Sequence, residues 1–84
     1  MAQIENILLP GAESEESIDI LIGLTGMRSD AMRKALIFHF VNGAADVYCY
    51  AISGVSASNF TRDVKKLNKV AREIDKYLEL NYRK

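Results

Sequence analysis

The sequence predicts a small all-α domain, and three observations lead to this fold class. Apolar residues recur at intervals of three and four along most of the chain, which is the period of an α-helix. Serines stand just before three of these periodic segments, where helix N-caps are expected. The one proline and the five glycines fall at the boundaries of the segments. We therefore expect several short helices followed by one long C-terminal helix.

Length and composition indicate one folded domain over residues 1–84. Apolar residues make up 49% of the chain and charged residues 26%, which is typical of a globular protein. A core this small points to self-association as an additional source of buried surface. No apolar run approaches the ~18 residues of a membrane span. The start, Met1–Glu5, has no basic segment and no cleavage site, so we expect a cytoplasmic protein that does not contact membranes.

The residue inventory argues against enzymatic function. A single Cys excludes an intramolecular disulfide, and with only one His the chain lacks the ligands of a usual Cys/His zinc site. There is no glycine-rich phosphate loop and no hydrolase signature. We expect no catalytic residues, no metal, no cofactor and no small-molecule substrate.

The first predicted helix follows a docking segment and a turn. Apolar residues 7–9 are expected to pack on the domain, and Pro10-Gly11 to form a turn. Ser14 is a suitable N-cap, and acidic residues follow it in the first turn, where the helix dipole favours them. The periodic pattern predicts that this helix ends near Gly23.

The next two helices are also short. Ser29 is the expected N-cap of the second, which has apolar residues on two sides and is therefore expected to be central or to lie at an interface. Asn42-Gly43 ends it. A third helix is expected within residues 44–53, followed by Gly54.

The fourth helix is predicted from about Ala57 to Tyr82, with Ser56 as its N-cap. No Pro or Gly interrupts it, and at ~1.5 Å per residue it would reach about 39 Å. This exceeds what the rest of the domain can cover. Residues 70–82 are therefore expected to pack on another copy or to run back along the first helices.

Charge is balanced overall, with eleven basic and eleven acidic residues, but it is uneven along the chain. Residues 1–42 have six acidic and three basic residues, whereas residues 43–84 have eight basic and five acidic ones. Five of the basic residues fall within positions 62–72 beside one acid. Such a cluster is typical of phosphate contact, although a solvated helix face has the same pattern.

The third helix, Gly54 and the fourth helix have the layout of a helix-turn-helix at about residues 45–67, with a helical extension at about 68–83. The apolar anchors would be Cys49, Ile52, Val55, Phe60 and Val64. Asn59 and Arg62 are candidates for base contacts, because Asn pairs with adenine and Arg with guanine in the major groove. The complete set of candidate DNA-binding residues is Ser56, Ser58, Asn59, Thr61, Arg62, Lys65, Lys66 and Lys69.

Three positions depart from the usual motif. Tyr50 stands where a small residue is common, and Ser53 and Asp63 stand where apolar residues are common. From the pattern alone, an ordinary helical hairpin fits the sequence as well as a DNA-binding motif does.

A family resemblance adds to this interpretation and covers roughly residues 8–70. The residues that carry it are Leu8-Leu9-Pro10-Gly11, Ser14-Glu15, Leu21-Ile22-Gly23, Ser29-Asp30, Val41-Asn42-Gly43 and Phe60 to Leu67. Together, without gaps, these blocks resemble the PapB-type adhesin-biosynthesis transcription regulators, which control fimbrial operons of Gram-negative enteric bacteria. The resemblance implies an all-helical protein that binds AT-rich operator DNA as a dimer or larger oligomer.

The chain also departs from that family. Ala44-Ala45-Asp46 stands where the family tends to have Ser and basic residues, which removes an expected phosphate contact and adds an anion. The segment after Val70 matches no family pattern. The alternative hypothesis is a small helical interaction protein that hetero-oligomerises with related regulators and does not bind DNA. His39 and Cys49 are expected to be core or interface residues rather than ligands or redox sensors.

Overall fold

The computed structural model describes residues 7–82 and contains four α-helices within that range. They are α1 (Glu15–Thr25), α2 (Asp30–Phe40), α3 (Asp46–Ser53) and α4 (Ala57–Tyr82). The predicted all-α class and the long C-terminal helix are confirmed. The expectation for Met1–Glu5 lies outside the described residues, and so does residue 83, the last position of the predicted helical extension. No helix in the described part of the chain combines the length and apolar character needed to cross a bilayer.

The three predicted serine N-caps are confirmed by hydrogen bonds. The Oγ of Ser14 accepts from the N–H of Ser17 at 3.1 Å, and the Oγ of Ser29 from the N–H of Met32 at 3.0 Å. The Oγ of Ser56 accepts from the N–H of Asn59 at 3.1 Å. Each bond satisfies a backbone donor that the first turn of a helix leaves without a partner. α3 has no side-chain cap, because Ala45 occupies its N-cap position.

The predicted end of α1 near Gly23 is wrong by two residues. The helix continues to Thr25, and Gly26 forms its C-cap with φ of 79° and an N–H that donates to the carbonyl of Gly23. A left-handed C-cap strongly favours glycine, and either glycine of this segment suits it by residue type.

The core lies where α1, α2 and α4 meet. α2 contacts each of the other three helices, which agrees with the expectation that it is central or lies at an interface. Its two apolar sides suit this arrangement, because the ring of Phe38 on one side packs against Tyr48 of α3 and the ring of His39 on the other packs against Phe60 of α4. The largest fully buried side chains are those of Phe40, Phe60, Ile18, Leu36, Leu67 and Cys49.

An N-terminal strap, residues 7–13, closes over this core. Of the three apolar residues expected to pack on the domain, Leu8 is buried and Ile7 packs against the core, whereas Leu9 is 58% exposed, so the prediction is wrong for Leu9. The N–H of Leu8 donates to the Oδ1 of Asn68 on α4 at 2.9 Å. The N–H of Gly11 donates to the carbonyl of Phe40 at 2.9 Å. A Cβ on Gly11 would stand 3.2 Å from the Cα of Gly43, so the two turns meet back to back with space only for hydrogen. The strap is therefore bonded both to α4, through Asn68, and to the C-terminal end of α2, through Phe40.

The distal part of α4 projects from the core. Ala71 is partly buried, and every residue from 72 to 81 is exposed. The molecule is accordingly elongated, with extents of 45 × 28 × 20 Å. The distal part is thus not covered by α1–α3 of the same chain, and packing on another copy is the predicted arrangement still to be tested.

Candidate nucleic-acid interface

α3 and α4 are joined by a three-residue turn, residues 54–56. The N–H of Gly54 donates to the carbonyl of Tyr50 and ends α3, and the Ser56 cap begins α4 immediately afterwards. The order of helix, glycine-containing turn and capped helix is the one that the sequence predicts. Such a short connection fixes the start of the second helix relative to the first.

Most of the predicted anchors hold this pair of helices on the core. Cys49 and Phe60 are fully buried, and Val55 and Val64 are partly buried against the core. The prediction for Ile52 is wrong, since its side chain is 51% exposed. α3 has only eight residues and turns a single face, around Cys49, to the core. Ile52 lies three positions beyond Cys49, and that spacing alone did not determine which side the short helix buries.

The unusual residues of the motif have structural explanations at two of the three positions. The ring of Tyr50 packs against that of Phe60 with centroids 5.8 Å apart, so it extends the aromatic contact between α3 and α4. Asp63 is buried, and its carboxylate is satisfied by two basic side chains described below. The Oγ of Ser53 is buried without a hydrogen-bond partner in the described range, and nothing in the structure explains its presence.

Four predicted basic residues share one exposed side of α4, which we call the basic face: Arg62, Lys65, Lys66 and Lys69 line it together with Ala57, Ser58 and Thr61. Positions 58, 62, 65 and 69 are four, three and four apart, so they follow one stripe of the helix. The core stripe of Phe60, Val64 and Leu67 is displaced by two positions, or about 200° around the helix. The basic face therefore points away from the core.

Two of the predicted site residues do not line the basic face. The hydroxyl of Ser56 is occupied as the N-cap of α4, so this residue positions the start of the helix. Asn59 is exposed but does not belong to the face. The remaining six are brought together.

An acidic side chain lies beside the basic face and modifies its charge. The carboxylate of Asp63 is only 6% exposed; its Oδ1 accepts from the Nε of Arg62 at 3.0 Å and lies 3.9 Å from the Nζ of Lys66. This hydrogen bond, together with the charge of Asp63, raises the pKa of the Arg62 guanidinium. Lys65 and Lys69 form no ion pair with any residue in the described range. These two lysines are thus the cations of the face that are least compensated.

Sequence reasoning did not include Asp63 among the site residues. In the sequence, Asp63 stands out as the single acid within a cluster of five basic residues, and it departs from the usual motif at that position. Its burial and its contacts with both neighbouring cations appear only in the folded helix.

His39 and Cys49 are packed where α3 begins. The Nδ1 of His39 lies 2.9 Å from the carbonyl of Ala44 and 3.4 Å from an oxygen of Asp46, and its ring packs edge-on against Phe60. Burial, and secondly the charge of Asp46, raises the pKa of the Cys49 thiol, which makes it less reactive. Both residues have the structural surroundings that the sequence predicts for them. No group of three or more potential metal ligands occurs in residues 7–82.

Comparisons with protein-family models, with curated proteins and with solved structures found no match. The resemblance to PapB-type regulators accordingly stays a prediction from the sequence.

Proposed function

We propose that this chain is a sequence-specific DNA-binding transcriptional regulator that acts in the bacterial cytoplasm. The observation that carries the proposal is the basic face: it lies on α4, which follows α3 after a short glycine-containing turn, and it points away from the core. The family resemblance further suggests a fimbrial or adhesin operon and an AT-rich operator. The proposed partners are double-stranded DNA and further copies of the chain.

The binding mode follows from the position of each residue along α4. Residues 57–69 span about 20 Å, which is enough to lie across a major groove about 12 Å wide. Ser58, Thr61 and Arg62 occupy the first two turns and would approach base edges. The three lysines follow one to two turns later, where their long side chains would reach phosphates. α3 would brace the helix from behind through Cys49 and Tyr50.

The salt dependence of DNA binding tests this mode. We expect submicromolar binding to an AT-rich duplex by fluorescence anisotropy, with a log–log salt slope of roughly −3 to −7, equivalent to about four to eight phosphates per complex. Lys65→Ala and Lys69→Ala should each weaken binding to all duplexes and reduce the slope by about 1 per bound chain. Lys34→Ala, an exposed lysine on α2, is the matched control and should change neither value.

Two outcomes would contradict the DNA-binding proposal. If Lys34→Ala weakened binding as much as Lys65→Ala and Lys69→Ala, the basic face would not be the binding surface. If a folded sample showed no binding even at low salt, the protein would not be a DNA-binding regulator.

Self-association is proposed through the distal part of α4. Leu67, Ala71, Ile74 and Leu78 are four, three and four positions apart, so the stripe that packs on the core continues without change of phase into the exposed segment. Ile74 and Leu78 are 37% and 42% exposed, more buried than Leu80, at 59%, on the other side of the helix. The segment contains acidic and basic side chains in nearly equal number, which allows a second copy to pack there without strong repulsion.

Sedimentation equilibrium tests whether the copies meet through the stripe of Ile74 and Leu78 or through another side of the exposed segment. Ile74→Asn or Leu78→Asn should shift the protein towards monomer, whereas Leu80→Asn should leave the oligomer unchanged, because it removes a similarly apolar side chain outside the stripe. An oligomer unaffected by the first two substitutions would show that the copies meet elsewhere.

A second candidate function is supported by a different surface. Val47, Tyr48 and Ile52 on α3 are all at least half exposed, and the net charge of the chain is zero. These features suit a small helical module that hetero-oligomerises with related regulators without binding DNA. Size-exclusion chromatography with and without a paralogue tests it, since mixed assemblies would replace the homo-oligomer.

A further inference from the structure

We propose that Asp63 is a positioning residue that holds Arg62 for guanine recognition, and so makes the basic face selective for sequence. This inference rests on the proposed DNA-binding function and deepens it. It starts from an unusual placement: a carboxylate, 6% exposed, lies beside a face whose other charged residues are all cationic. A negative charge there opposes binding to phosphates, so it weakens general affinity for DNA.

The contacts of Asp63 define a specific orientation of Arg62. The Nε of Arg62 donates to Oδ1 at 3.0 Å, and Nη2 lies 3.5 Å from Oδ2, at the long limit of a hydrogen bond. The carboxylate therefore meets the guanidinium from its Nε side. An arginine has five N–H donors in a rigid plane. The contact with Asp63 leaves the far end of that plane, formed by Nη1 and the outer hydrogen of Nη2, directed away from the carboxylate.

The remaining donors match one base in the major groove. Guanine presents two adjacent acceptors there, O6 and N7, and the end of a guanidinium plane binds both at once. Arg62 is 57% exposed on a face that points away from the core, so this end is accessible. Fixing the plane before binding reduces the side-chain entropy lost on contact. The contact with Asp63 also disfavours the other rotamers, in which Arg62 would bind a phosphate instead of a base.

Selection from a pool of random-sequence duplexes, using the full chain, tests this role. The wild type should enrich guanine at one position of the bound site, with a preference of roughly 5- to 150-fold, the range expected for a bidentate pair. Asp63→Asn should reduce this preference to a few-fold or less. At the same time it should raise affinity for duplexes without that guanine, because a negative charge is removed. A merely structural defect would lower affinity for all duplexes.

Three further variants make the test specific. Arg62→Lys keeps the charge and leaves Asp63 in place, but its flexible ammonium lacks the planar donor fork of a guanidinium. The guanine preference should therefore fall in this variant too, which keeps the test informative if Asp63→Asn fails to fold. Lys69→Ala should weaken binding and keep the preference. Once Arg62 is replaced by Ala, adding Asp63→Asn should have no further effect on sequence preference, since Asp63 acts through Arg62.

The possible results separate this inference from the proposal beneath it. If the folded wild type selected no duplex, the DNA-binding function itself would be wrong. If the wild type bound and selected guanine but Asp63→Asn kept the full preference, Asp63 would not position Arg62. If Arg62→Lys and Asp63→Asn changed affinity equally for all sequences, Arg62 would contact phosphate. This inference would then be overturned, whereas the proposal of a DNA-binding regulator would stand.

Discussion

The contact between Gly11 and Gly43 predicts that one methyl group at position 11 destabilises the whole domain. Gly11 has φ of 80°, where a residue with a Cβ costs roughly 1–2 kcal/mol. The new Cβ would also stand 3.2 Å from the Cα of Gly43, so the strap and the turn after α2 must separate slightly. Overpacking of this kind costs about 1–3 kcal/mol. The lower entropy of the unfolded alanine chain offsets about 0.4–1 kcal/mol.

The net expectation for Gly11→Ala is therefore a loss of about 1–4.5 kcal/mol in the free energy of unfolding. Gly26→Ala is the matched control, because Gly26 has φ of 79° and no neighbouring atom within 4 Å of an added Cβ. It should lose only about 0–1.5 kcal/mol, from the backbone conformation alone. The difference between the two variants isolates the close approach.

Urea unfolding followed by circular dichroism measures both values, with the denaturant slope checked for constancy between variants. In thermal unfolding, each kcal/mol lowers the Tm of a domain of this size by roughly 4–8 °C. Equal losses for Gly11→Ala and Gly26→Ala would refute the reasoning, because the packing of Gly11 on Gly43 would then contribute nothing beyond the positive φ.

Three further predictions concern the strap, an ion pair and the buried thiol. Asn68→Ala leaves the N–H of Leu8 buried without an acceptor, so we expect a loss of about 1–3 kcal/mol in the free energy of unfolding, measured in urea. Hydrogen bonds from Arg33 lower the pKa of Asp19, so its contribution to stability is complete above the ordinary value of 3.8 and disappears as pH falls below it; Asp19→Asn should flatten the acid side of a plot of Tm against pH. Because burial raises the pKa of the Cys49 thiol, a disulfide reagent should modify it slowly in the native domain and quickly in urea.

Each of these predictions has a control or a contradicting result. Asn81→Ala removes an amide that bonds only within the exposed end of α4, to the carbonyl of Tyr77, and should change stability by no more than about 0.5 kcal/mol. Arg33→Gln should reproduce the flattened acid limb of Asp19→Asn; an unchanged limb in both variants would contradict the ion-pair argument. Equal modification rates of Cys49 in buffer and in urea would show that its thiol is accessible in the native state.

The candidate site was only partly predictable. Helical spacing alone indicates that Ser58, Arg62, Lys65 and Lys69 share a stripe, because their positions repeat with the period of the helix. The same spacing does not show how far each residue lies from the core, which is why Ile52 was expected to be buried. It also gives no information on the contact between Asp63 and Arg62, since adjacent residues of a helix point in directions about 100° apart and meet only if their side chains bend towards each other.

The sequence by itself determined the features that depend on residues within one or two turns of each other. The serine caps, the four helices and the start of α4 follow from hydrogen bonds and apolar spacing over three or four positions. Tertiary structure decided which glycine ends α1, how Gly11 meets Gly43, and that Asn68 accepts a hydrogen bond from Leu8, 60 positions away. These contacts join segments remote in sequence, and their geometry exists only once the core around Phe40 and Phe60 has brought the strap, α2 and α4 together.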